Sequence, residues 1–136
     1  MYLDKRGYRK LITWQKANEL RKSVYAITKG FPKSEMRRIS QMNDSARSVK
    51  QNIQEGYKRR TLGEYIRSLN ISQGSLGELI GDIEDCFNDK LINKEEFELL
   101  DKSSGQTDYF LKCLVESLIK KREKEGRKGY NPLTPF

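Results

Sequence analysis

The chain has 136 residues, with 27 Lys and Arg against 19 Asp and Glu, a net charge of +8, two cysteines and no histidine. That length suits a single domain with one core, and the missing histidine removes the commonest general base along with Ser–His and Cys–His nucleophile activation, so no enzyme is expected. No apolar run approaches the roughly 20 residues of a membrane-spanning helix, and Cys86 and Cys113 lack C-x-x-C spacing; this argues against a membrane span, a disulfide framework and a zinc site, and favours a reducing cytoplasm.

Residues 1–12 read as a basic N-terminal arm without clear periodicity, carrying Lys5, Arg6, Arg9 and Lys10. The first helix begins near Thr13 with the apolar stripe Trp14, Ala17, Leu20, Val24 and Ile27. It ends at Gly30-Phe31-Pro32, because proline has no amide to donate and disfavours helix in the residue before it. The second helix runs from about Ser34 to Gly56, with Ile39, Met42, Ala46, Val49 and Ile53 at alternating three- and four-residue steps. Gly56 is expected to close it in a left-handed cap, ahead of the cations Lys58, Arg59 and Arg60. A Thr61-x-x-Glu64 capping box opens the third helix, about Leu62 to Asn88, and Asn93 with Glu96 opens the fourth. Short connections make neighbouring helices antiparallel, so the expected fold is all-α, an antiparallel up-down four-helix bundle over residues 13–124. Gly126, Gly129, Pro132 and Pro135 break the pattern beyond it, and residues 125–136 are expected to form a flexible tail.

Charge is segregated along the chain: residues 1–60 hold 16 Lys and Arg against 5 Asp and Glu, residues 61–119 hold 5 against 12, and residues 120–136 hold 6 against 2. A molecule with a basic and an acidic side attracts polyanions and other copies of itself, although blocks of charge also arise simply as a solvated surface. Arg47, Lys50, Gln54 and Lys58 follow one another at three- or four-residue steps and trace a band beside the apolar seam, which Arg59, Arg60 and Arg67 extend. Phosphate binding is the expected use of that band, with Arg9 and Lys10 of the arm as further contacts; such contacts position a ligand without reading its sequence. Tyr57 stands in the cluster either to stack on an unpaired base or to plug the bundle end. Gly74, Gly77 and Gly81 share a face of the third helix, and interior glycines cost about 1 kcal/mol each relative to alanine, so a close helix packing or an oligomer interface is expected there. Glu78, Asp82, Asp85 and Asp89 form an acidic strip on the same helix; one strip seldom converges on a metal, so it is expected to face solvent or a basic neighbour.

Tyr8-Arg9-Lys10-Leu11, Trp14-Gln15-Lys16-Ala17, Phe31-Pro32-Lys33, Asn52-Ile53-Gln54-Glu55-Gly56, Glu64-Tyr65 and Gly74-Ser75-Leu76-Gly77-Glu78-Leu79 resemble, in order and spacing, bacterial four-helix-bundle proteins encoded within intervening sequences of large-subunit ribosomal RNA. The resemblance covers roughly residues 8 to 119. Members often carry paired arginines, an alanine pair and a bending proline where this chain has Asp44-Ser45-Ala46-Arg47-Ser48-Val49-Lys50. The family is related to accessory proteins of diversity-generating retroelements. The resemblance implies a homopentameric barrel with a basic nucleic-acid-binding surface, with RNA and/or DNA, a reverse transcriptase or a structured rRNA element as partner. The expected function is therefore that of a non-catalytic, cytoplasmic nucleic-acid-binding accessory protein. The alternative is a protein interaction scaffold that docks an acidic partner without nucleic acid.

Overall fold

Apolar residues at three- and four-residue steps leave each helix with one stripe that must be covered, and four such stripes close on a common core. A computed structural model describes residues 6–127; the expectations for residues 1–5 of the arm and 128–136 of the tail lie outside the described residues. Its helices are α1 (Ile12–Thr28), α2 (Met36–Tyr57), α3 (Leu62–Asn88) and α4 (Lys94–Arg127), with short 3-10 turns at Gly7–Lys10 and Lys33–Glu35 and no strand among the described residues. Both α1 and α3 pack between α2 and α4, and the diagonal pairs are not neighbours, which is the square of an up-down bundle. Ala17, Leu20 and Val24 of α1, Met42, Val49 and Ile53 of α2, Leu69, Leu76 and Leu79 of α3, and Leu100 and Leu111 of α4 are fully buried in one cluster. Each large side chain among them contributes about 1.5–3 kcal/mol by leaving water.

The expected box at Asn93 and Glu96 forms in full, and that at Thr61 and Glu64 forms its N-cap bond. Glu64 N donates to Thr61 Oγ1 at 3.1 Å, and Asn93 and Glu96 exchange two bonds, Glu96 N to Asn93 Oδ1 at 2.8 Å and Asn93 N to Glu96 Oε1 at 2.9 Å. The expected cap at Gly56 does not. Gly56 is helical and buried, α2 runs on through Tyr57, and Lys58 follows in right-handed geometry. What Gly56 supplies is a crossing: a Cβ there would lie 2.8 Å from Tyr65 Cδ1 and 3.0 Å from Ser68 Cβ. The left-handed residue that ends a helix is Lys90 instead, at φ 62°, after α3. Leu91 N donates to Cys86 O at 2.9 Å and Lys90 N to Phe87 O at 3.1 Å, the paired bonds of a Schellman motif built without glycine.

The close packing expected at Gly74, Gly77 and Gly81 is absent within the chain. All three are exposed or half-exposed, and a Cβ on any of them would meet nothing within 4 Å. Their face of α3 points away from the bundle because Ser72, Leu76, Leu79 and Ile83 take the inward positions. The acidic strip beside them meets basic or polar neighbours on α2: Asp89 pairs with Arg38 at 3.0 Å and Asp82 accepts from Gln41 Nε2 at 3.4 Å. Partial burial, then Asp85, holds the Asp82 carboxyl above the usual range.

Candidate nucleic-acid interface

Antiparallel pairing of α1 with α2 decides which cations become neighbours. At one end Trp14 Nε1 donates to Gln54 Oε1 at 2.8 Å, and at the other Asn43 Nδ2 donates to Thr28 Oγ1 at 2.9 Å. Between these fixed points Arg21 and Lys22 of α1 come opposite Arg47 and Lys50 of α2. Partial burial lowers the Lys50 ammonium below its ordinary value, and the charges of Arg21, Arg47, Arg9 and Lys22 lower it further. Four cations thus act on a fifth. None of them forms an ion pair among the described residues, whereas Lys16, Arg38, Lys94 and Lys112 all do.

Arg21 stands out. Its Nε is the one buried side-chain nitrogen or oxygen among the described residues that has no hydrogen-bond partner. A buried donor left without a partner costs about 1–3 kcal/mol, so this arginine is held by the fold without being satisfied by it. It borders a groove of about 390 Å³ between α1 and α2, together with Tyr25, Ser40, Asn43, Asp44 and Arg47. A second depression of about 280 Å³, lined by Asp44, Arg47, Ser48, Gln51 and Asn52, continues along α2.

The arm contributes more order than its sequence suggests. In the Gly7–Lys10 turn Tyr8 is buried, with its ring centroid 5.3 Å from that of Trp14, and Lys58 Nζ lies 5.5 Å from the centre of the Tyr8 ring. Gln15 Nε2 donates to Arg9 O at 2.9 Å. Arg9 and Lys10 are therefore exposed cations on a docked turn. Tyr57, 41% exposed, has its hydroxyl against this turn, since a Cβ on Gly7 would come 2.6 Å from it.

Of the cations expected from sequence, Arg9, Arg47 and Lys50 share one field, and Lys58 stands over Tyr8 of the same turn that carries Arg9. Arg59 and Arg60 are exposed in the connection between α2 and α3. Arg67 is exposed on the outward face of α3, about a third of a turn round from Ser68, Ser72 and Ser75 on the side toward α2. It stands apart from the α1–α2 cluster. Arg21, Lys22 and Tyr25 were the residues that spacing along α2 could not find.

The family model described as 23S rRNA-intervening sequence protein matches residues 9–112. A crystal structure of a protein of unknown function from the S23 ribosomal protein family of Bacteroides thetaiotaomicron VPI-5482 superposes with a TM-score of 0.71 at 20% identity, over 76% of this chain and 98% of that one. At that identity the likeness bears on the fold. No curated protein matches the chain.

Proposed function

Because the chain belongs to the 23S rRNA-intervening sequence protein family, we propose that it is a non-catalytic RNA-binding bundle whose α1–α2 face engages the phosphate backbone. The observation that carries this reading is that Arg21 of α1 and Arg47 of α2 line one groove, with Arg9, Lys22 and Lys50 close enough to share its field and none of the five in an ion pair among the described residues. Like charges held this close repel one another in the free protein. A phosphodiester backbone relieves the repulsion and releases its own condensed counterions on binding, which makes affinity fall with salt. The family's association with 23S rRNA makes a structured RNA the favoured ligand, and Arg59, Arg60 and Lys58 lengthen the track at one end.

The finer form of the reading is a homopentameric barrel working in the cytoplasm, beside a structured rRNA element or a reverse transcriptase of a diversity-generating retroelement. It is supported by the resemblance and by the opposed charges of the two halves of the chain. The bare glycine face of α3, where Gly74, Gly77 and Gly81 leave the backbone open beside the half-exposed Ile71, offers a flat surface for another copy. Repeating one basic patch around a ring multiplies modest contacts into avidity.

The test is the doubly reversed variant Arg47→Glu, Lys50→Glu. RNA affinity should fall by an order of magnitude or more at moderate salt, while helix content and oligomer mass stay unchanged. Undiminished binding would move the interface elsewhere. If the unaltered protein binds no RNA but retains an acidic protein partner, the scaffold reading replaces this one.

A further inference from the structure

The groove between α1 and α2 has a composition that a phosphate track alone does not need. Tyr25 is 50% exposed at its edge, one turn along α1 from Arg21, and Lys29 Nζ sits 4.5 Å from the centre of its ring. A tyrosine with a cation on one face and a groove beside the ring is a ready stacking surface, since unpaired bases stack on aromatic rings whatever their sequence. Arg21 and Arg47 reach the same groove from the two helices, and Arg21 Nε is the donor left without a partner. Phosphate takes parallel N–H donors from a guanidinium, and the guanidinium groups that Arg21 and Arg47 bring to the groove from two helices suit it.

Asp44 is the exception to the basic lining, because a carboxylate repels phosphate. It suits a base edge instead: a carboxylate accepts from the exocyclic amino group of cytosine, whereas uracil offers a carbonyl oxygen in that place. Asn43 has its amide nitrogen committed to Thr28 Oγ1 and Ile39 O, so it cannot serve as a competing donor.

We propose that this groove seats one unpaired nucleotide, with its base on Tyr25, its phosphate on Arg21 and Arg47, and an exocyclic amino group on Asp44. The inference rests on the nucleic-acid-binding reading above and adds to it a preference for unpaired, amino-bearing bases. The chemistry is shared by RNA and single-stranded DNA.

The experiment measures binding of the full chain to ten-nucleotide oligocytidylate, oligouridylate and oligodeoxycytidylate and to duplex RNA of equal length, for the unaltered protein, Tyr25→Ala and Asp44→Asn. Tyr25→Ala should weaken oligocytidylate by about 5- to 100-fold, the range of single base–aromatic stacks, and leave duplex RNA unchanged. Oligocytidylate should bind more tightly than oligouridylate, and Asp44→Asn should narrow that gap. A tighter ribo- than deoxyribo-oligonucleotide assigns the seat to RNA; equal affinities assign it to either backbone. If Tyr25→Ala binds oligocytidylate as the unaltered protein does, or oligouridylate matches oligocytidylate, the seat is overturned. In that case the basic-face reading still stands, provided the Arg47→Glu, Lys50→Glu variant loses binding. Failure of the unaltered protein to bind any of the four ligands removes both.

Discussion

Gly56 and Gly77 are both helical glycines, yet adding one methyl group to each should move stability in opposite directions. At Gly56 the new Cβ would stand 2.8 Å from Tyr65 Cδ1 and 3.0 Å from Ser68 Cβ. Ser68 Cβ is fixed to the α3 backbone and cannot swing aside. The Tyr65 ring is partly buried and packed against the core, and the atom it presents is next to the ring's attachment rather than at its far end. The ends of α2 and α3 must therefore part by a few tenths of an ångström. Overpacking of this kind costs about 1–3 kcal/mol, and the better helix propensity of alanine returns about 0.5–1 kcal/mol. The net for Gly56→Ala is a loss of up to about 2.5 kcal/mol, centred near 1 kcal/mol. At Gly77 nothing lies within 4 Å of the added carbon, so only the propensity gain of about 0.5–1 kcal/mol remains. For a domain of this size 1 kcal/mol moves Tm by about 3–5 °C, so thermal unfolding followed by circular dichroism resolves the two. A Gly56→Ala variant as stable as the unaltered chain would refute the crossing. A Gly77→Ala variant that loses stability together with oligomer mass would mean that another copy covers the glycine face.

Lys90→Gly should stabilise the bundle by about 0.5–1 kcal/mol, since a lysine at φ 62° bears a left-handed penalty that glycine avoids; a urea midpoint that falls instead would refute it. Lys58→Glu, Arg59→Glu and Arg60→Glu together should weaken RNA binding and lower its salt slope by about 0.7–0.9 for each phosphate that is no longer neutralised, similarly for all ligand sequences; an unchanged slope would take the α2–α3 connection out of the interface. Lys50 is held below its ordinary value of 10.5 by burial and by its cationic neighbours, and a bound phosphate moves it back up. Its share of RNA affinity is therefore full below the depressed value of the free protein and is lost as pH rises from there toward the ordinary lysine range. Lys50→Arg, which does not titrate in that window, should flatten the profile, and an unchanged alkaline decline would assign it to another group.

The helices were legible because their signals are local. Stripes, capping boxes and Pro32 place α3 as expected and α1, α2 and the start of α4 to within a residue or two. Glycine was the least legible signal within the chain. Gly56 fits a cap by sequence, but Tyr65 and Ser68 arrive from another helix to make it a crossing, and no spacing rule reports that. Gly74, Gly77 and Gly81 fit a packing face by spacing, yet the inward positions of α3 are taken by their larger neighbours. The basic site was half legible for the same reason. Arg47, Lys50 and Lys58 announce themselves by helical spacing, whereas Arg21, Lys22 and Tyr25 join them only after α1 folds back along α2. The excess of cations over the first 60 residues was the one signal of their partnership.

The most direct measurement for the central claim is the salt dependence of RNA binding by the unaltered chain. Arg9, Arg21, Lys22, Arg47, Lys50 and Lys58 are six cations in or beside one field. If each neutralises a phosphate, a plot of log affinity against log salt concentration should fall with a slope of about −4 to −5, and of about −2 if half engage. The Arg47→Glu, Lys50→Glu variant should be shallower by about 1.4–1.8. A slope near zero, or a variant whose slope matches that of the unaltered protein, would contradict the claim that this face holds the RNA backbone.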